Sequence, residues 1–177
     1  KAQGDYFKAL EYYNKSLEIY LSIFGECHPD VALSYNNIGC VCDSQGDYDK
    51  ALVYYNKSLE IYRLIFGDSH PAVADSCSNI GGIYKAQGDY FKALEYYNKS
   101  LEIYRSIFGD SHLAVADSYS NIGGIYKAQG DYAKALEHYN QSLEIYLSIF
   151  GEYHPNVASC YNNIGCVCDS QGDYDKA

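Results

Sequence analysis

The tetrapeptide Gln-Gly-Asp-Tyr occurs five times, at residues 3–6, 45–48, 87–90, 129–132 and 171–174, always 42 apart. Cut at that point, the chain reads as units 3–44, 45–86, 87–128 and 129–170, with a stub at 171–177. The two inner units share 37 of 42 residues and the two outer units 35 of 42. Self-similarity at a fixed period of this length means that one unit cannot bury its apolar face alone. Neighbouring units must stack to make a continuous core. Residues 1–177 therefore read as one repeat array, and its class is all-α.

Each unit carries two helical patterns. In the first, Tyr6, Ala9, Leu10, Tyr13, Ser16, Leu17, Tyr20, Ile23 and Phe24 fall at helical spacing and form one stripe along residues 5–24. Asp5 is the expected N-cap, and Gly25 the expected stop, in a left-handed C′ conformation. The same helix is expected at 47–66, 89–108 and 131–150. Shorter helices follow a Gly-acid-x-His-Pro turn, at 29–44, 71–86, 113–128 and 155–170, with Pro71 suited to the first helical position and Ser69 or His70 to the cap. The third has Leu113 instead of proline. Val73, Cys77, Ile80, Gly81 and Tyr84 are the expected inward residues of the second. A mid-helix glycine costs about 1 kcal/mol against alanine. Its recurrence at Gly39, Gly81, Gly123 and Gly165 predicts a very close neighbour.

Composition narrows the function. The formal net charge is −10 with no basic run, so a phosphate backbone would be repelled and nucleic acid is not the expected partner. No stretch has the ~20 apolar residues of a membrane span, no membrane association is expected, and no signal peptide opens the chain. A cytoplasmic location follows as an expectation. There is no methionine, even at position 1, which reads as an internal piece of a longer array. The seven cysteines (Cys27, Cys40, Cys42, Cys77, Cys160, Cys166, Cys168) are an odd set with C-x-C pairs, and read as small buried thiols. Gly82 and Tyr84 stand where the pair Cys40 and Cys42 would be, which argues against metal ligation. His28, His70, His112 and His154 recur once per unit and read as turn or cap residues. Asn14-Lys15-Ser16 and its repeats match a glycosylation triplet but lie mid-helix. No nucleophile pairs with a base at useful spacing, so no catalytic residue, no metal and no cofactor is expected.

The spacing Tyr119-x₂-Ile122-Gly123-x₂-Tyr126, followed by Ala135-x₃-Tyr139, resembles the tetratricopeptide repeat pattern W-x₂-L-G-x₂-Y…A-x₃-F. Gly130-Asp131-Tyr132 falls at that family's inter-helix turn. The unit is eight residues longer than the usual 34, and Leu147 stands where the family ends in proline. In this it is similar to the 42-residue repeats of kinesin light chains. The resemblance implies a right-handed α-solenoid of antiparallel helix pairs, with the shorter helices lining a concave face.

On that face the resemblance places Asn37, Asn79, Asn121 and Asn163, with Asp75, Asp117, Lys85 and Lys127 around them. An amide both donates and accepts, so an asparagine column can clamp an extended backbone. It can equally hold adjacent helices together. The ends suggest a second activity. The face near Ala158, Tyr161 and Ile164 is the kind that Tyr6, Leu10, Tyr13 and Leu17 would cover in a following unit. Head-to-tail stacking through uncapped repeats is thus expected. Two readings stand: a scaffold whose concave groove binds a protein, peptide or partner helix, and a structural array that self-assembles end to end.

Overall fold

The computed structural model describes residues 3–172 of the chain. They form eight α-helices: α1 (Gln3–Phe24), α2 (Pro29–Ser44), α3 (Tyr48–Phe66), α4 (Pro71–Ala86), α5 (Tyr90–Phe108), α6 (Leu113–Ala128), α7 (Tyr132–Phe150) and α8 (Pro155–Gln171). Long helices alternate with short ones, as the two patterns require. Within each unit the fold is a succession of packed helix pairs, of the kind the tetratricopeptide resemblance implies. The expected first turn of a further helix, at 173–177, lies outside the described residues. Contacts divide the chain into two compact units, Lys1–Asp89 and Tyr90–Ala177. In the first unit α1 packs on α2, α2 on α3 and α3 on α4; in the second α5–α8 pack in the same succession.

The caps explain the helix boundaries. Asp47 accepts the Lys50 backbone N–H at 3.3 Å to open α3, and Asp131 accepts that of Lys134 at 3.3 Å to open α7. At the other end, Gly67 has φ 78° and ψ 176°. That pairing of angles lies outside both helix and left-handed turn, and only a residue without Cβ adopts it cheaply. Asp5 is different from its counterparts: α1 already begins at Gln3, so Asp5 lies in its first turn.

Histidine, not serine, caps the short helices. The Nδ1 of His28, His70, His112 and His154 accepts a backbone N–H from Asp30, Ala72, Ala114 and Asn156, at 3.3, 3.2, 3.2 and 3.2 Å. Each ring also stacks on the last phenylalanine of the preceding helix: Phe24, Phe66, Phe108 and Phe150, with centroids 3.9, 4.0, 4.1 and 3.7 Å away. This gives the long helix's extra turn a purpose. It carries the phenylalanine on which the next helix's cap is built.

Gly39 and Gly123 have the close neighbour that the recurrence predicts, whereas Gly165, for which one was also expected, has none within 4 Å. A Cβ on Gly39 would lie 2.8 Å from the Tyr55 ring, and one on Gly123 3.0 Å from the Tyr139 ring. The close neighbour is therefore a tyrosine face from the following long helix. In the first unit Ala51, Tyr55, Leu59, Val73, Cys77, Ile80 and Ile83 are buried. Tyr84, expected inside, is half-buried, and Ile83 takes the core place. In the second unit one cluster joins Leu143, Tyr146, Val157 and Cys160, and another joins Ala135, Tyr139 and Val167. Cys42, Cys77, Cys160 and Cys168 are the buried thiols, whereas Cys27, Cys40 and Cys166 are exposed. No helix among the described residues is long and apolar enough to cross a membrane.

Candidate functional site

Asn37 on α2 and Asn79 on α4 occupy identical places on the two short helices that pack on α3, and both are half-buried. Asn79 donates from Nδ2 to Asn36 Oδ1 at 2.9 Å, tying α4 to α2. That bond belongs to the helix-holding role. Asn121 and Asn163, half-buried on α6 and α8, repeat the arrangement in the second unit. There Ser120 takes the place of Asn36, and its hydroxyl pairs with Ser142 Oγ at 2.9 Å. The side-chain amides of Asn37, Asn121 and Asn163 make none of the side-chain hydrogen bonds found among the described residues. Three of the four amides therefore keep both their donors and their acceptor.

The charged residues expected around this column divide. Asp75 and Asp117 stand one turn before Asn79 and Asn121, on the same helix face, and are exposed. The Tyr146 hydroxyl donates to the Asp117 carboxylate. Burial and this carboxylate together push the Tyr146 phenol far above its usual range. Lys85 and Lys127 lie six residues after their asparagines, about 120° round the helix. They flank the column rather than join it. Lys85 is exposed and Lys127 half-buried.

Of the residues expected at the two ends, Tyr6 and Leu10 are half-buried and Tyr13 is exposed. Leu17 is buried within its own unit, at 8% exposure. Tyr161 and Ala158 are exposed on α8, and Ile164 is half-buried against Tyr139 and Val167. A Cβ on Gly165 would meet nothing within 4 Å, unlike those on Gly39 and Gly123.

Sequence reasoning missed a groove that recurs in both units. In the first, Glu26, Cys27, Tyr35, Lys57, Glu60, Ile61 and Leu64 line about 320 Å³. In the second, Asp110, Ser111, Tyr119, Gln141, Glu144, Ile145 and Ser148 line about 300 Å³ together with Arg105. Each of those seven positions lies 84 residues after its counterpart. Aligning units at that spacing, and asking where they differ, would have drawn attention to Lys57 and Gln141.

Alternating helix pairs with a tyrosine face on a mid-helix glycine define a helical-repeat protein of the interaction-scaffold class. The family model described as tetratricopeptide repeat matches residues 1–64, 44–106, 72–148 and 115–177. The chain belongs to the tetratricopeptide repeat family. No curated protein matches it. Among solved structures it is similar to BtubC (BKLC) from P. vanneervenii, with a TM-score of 0.87 and 26% identity, over 99% of this chain and 70% of that one. It is also similar to a kinesin light chain from Podosopora anserina with nearly identical TPR-like repeats, with a TM-score of 0.80 and 18% identity, over 98% and 82%. The apo form of RapI matches with a TM-score of 0.81 and 22% identity, over 96% and 59%. The last two likenesses speak to the fold alone.

Proposed function

We propose that the chain is a protein-interaction scaffold whose short helices present Asn37 and Asn79 in the first unit, and Asn121 and Asn163 in the second, to an extended peptide or partner helix. The observation that carries this reading is the spare hydrogen-bonding capacity of Asn37, Asn121 and Asn163. A half-buried amide without a partner costs stability unless water or a ligand satisfies it. A primary amide meets both the N–H and the C=O of an extended chain, which makes the clamp tolerant of ligand sequence. Its test is a peptide-library selection followed by titration of the selected binder. Asn121→Ala should weaken that binder by up to about tenfold, one hydrogen bond's worth, with the melting temperature unchanged. Asn79→Ala should also lower the melting temperature, because Asn79 already ties two helices. Equal affinity for Asn121→Ala and wild type would sink the clamp.

A second reading rests on α8. Tyr161 is 53% exposed and Gly165 lies open, while their counterparts Tyr35 and Gly39 lie against α3. Residues of α1 in a second copy have the right chemistry to cover this face, which would give head-to-tail assembly. Sedimentation across a wide concentration range decides it: a mass that stays at 19.9 kDa rejects assembly.

A further inference from the structure

The recurring groove lies on the other side of the short helices from the asparagine column. Tyr119 and Asn121 are two residues apart on α6, hence about 200° apart around its axis; Tyr35 and Asn37 stand the same way on α2. Both grooves have the same construction. A tyrosine from the short helix stacks on an aromatic ring from the following long helix. Tyr35 meets Tyr54 at 6.1 Å and 26° in the first unit, and Tyr119 meets His138 at 5.9 Å and 25° in the second. An isoleucine forms one wall (Ile61, Ile145) and a glutamate stands beside it (Glu60, Glu144).

The grooves differ in what lies on the rings. In the first unit the chain supplies its own cation: Lys57 Nζ lies 5.1 Å from the Tyr35 centroid and 5.8 Å from that of Tyr54. That is the geometry in which a ring quadrupole attracts an ammonium group. In the second unit Gln141 stands in the place of Lys57. Its amide oxygen turns to His138 Nδ1 at 3.1 Å, and no cation–π contact among the described residues falls on Tyr119. Arg105 does border this groove, but its Nε is held by Asp110 Oδ1 at 2.5 Å. Glu144 makes none of the described ion pairs. The second groove therefore keeps the rings, the wall and an uncompensated carboxylate, and lacks the ammonium that the first one holds.

We propose that the Tyr119–Glu144 groove is a docking site for a lysine side chain of a partner protein, a site that the first unit fills with its own Lys57. Three features select that occupant. Lys57 shows that the ring pair and wall accept a lysine stem and ammonium. Glu144 supplies the opposite charge. The net charge of −10 draws basic segments towards the chain. This surface is independent of the asparagine column, so a partner could engage either or both.

The test is a reciprocal swap read by nuclear magnetic resonance, with an acetyl-capped peptide of alternating lysine and alanine as the probe, in about 150 mM salt to screen long-range attraction. Wild type should show peptide-dependent shifts at Tyr119 and Ile145. Gln141→Lys copies the first unit and should remove those shifts, raising the dissociation constant about tenfold. Lys57→Gln should add a second set at Tyr35 and Ile61. Gln129→Lys, an equal charge change at an exposed turn, should leave affinity unchanged. The proposal is overturned if Gln141→Lys binds like wild type, if Gln129→Lys weakens binding as much, or if Lys57→Gln opens no second site. It is overturned too if Tyr119 shifts with protein concentration in the absence of peptide, because the occupant is then another copy of the chain.

Discussion

In the first unit the Tyr55 ring lies over Gly39 and its hydroxyl reaches Cys40 Sγ at 3.3 Å. In the second the Tyr139 ring lies over Gly123, and Gly124 stands where the thiol would be. The backbone-scale packing is the same while its polar trimming is not. The same holds two residues further on, where Lys57 lies over the rings of one groove and Gln141, in its place in the other, bonds the His138 ring instead. The repeat holds constant what sets the distance between helices, and varies what faces a ligand. That division of labour gives a way to test which parts of the unit carry the fold.

The largest effects should come from the shared element. Tyr55→Ala and Tyr139→Ala each remove a buried ring, at a cost of about 3–5 kcal/mol in urea denaturation. The phenylalanine versions separate the units. Tyr55→Phe loses its bond to the Cys40 thiol, worth about 0.5–1 kcal/mol, and Tyr139→Phe has no such bond to lose. Equal costs for the two would show that the thiol contributes nothing.

Next come the glycines, where the sign of the effect should change along the chain. Gly39→Ala forces a methyl to within 2.8 Å of a ring, and the overpacking cost of about 1–3 kcal/mol exceeds the helix-propensity gain of about 1. At Gly123 the distance is 3.0 Å, and the two terms come closer to cancelling. Gly165→Ala meets nothing within 4 Å and should stabilise α8 by up to about 1 kcal/mol. Thermal melts of the three variants check the order. A destabilising Gly165→Ala would mean that something covers α8 in solution.

A smaller contrast lies at the helix entries, where Pro71 and Leu113 occupy the same first position after a capping histidine. Leu113→Pro should stabilise the second unit by about 0.4–1 kcal/mol, because the proline restricts the unfolded chain. Pro71→Leu should cost the first a similar amount. Paired melting curves give both numbers.

Much of this was legible in the sequence because repetition removes ambiguity. A 42-residue period, a glycine stop and a proline start leave little freedom in placing eight helices, and seven of the eight begin within a residue of their expected start. The exception is α1, where the Asp5 cap is overrun by two residues. The identity of the cap was open between Ser69 and His70. It was decided by the Phe66 ring, which lies in the previous helix and only a tertiary contact could reveal. Asn37, Asn79, Asn121 and Asn163 were singled out by the family resemblance, and that Asn79 is bonded while Asn163 is not depends on whether the other short helix of the unit offers Asn36 or Ser120. The grooves were invisible because a 100° step scatters Tyr119, Gln141 and Glu144 through the sequence. Only the fold of α6 against α7 collects them.

The smallest effect tests the groove's ring pair itself. His138 takes the place of Tyr54, lies parallel to Tyr126 with centroids 5.3 Å apart, and bonds Gln141. Burial is the main influence on it and pulls its pKa below the usual histidine value; nearby Glu137 opposes this and Lys134 adds to it. A lowered folded-state value means that the unfolded chain binds more protons, so stability rises with pH across this range. The contribution of neutral His138 is complete above the unfolded value of about 6.5. It declines as pH falls through that value and levels off below the folded one. His138 has no histidine counterpart in the first unit, where Tyr54 stands in its place. His138→Tyr, which restores the first unit's ring, should therefore remove the part of the acid loss that belongs to the second unit. Melting temperatures of wild type and variant, taken from pH 8 to pH 5, should run parallel above about 6.5 and separate below it. If the curves stay parallel throughout, the ring pair carries the proton without penalty, and His138 is in that respect no different from an exposed histidine.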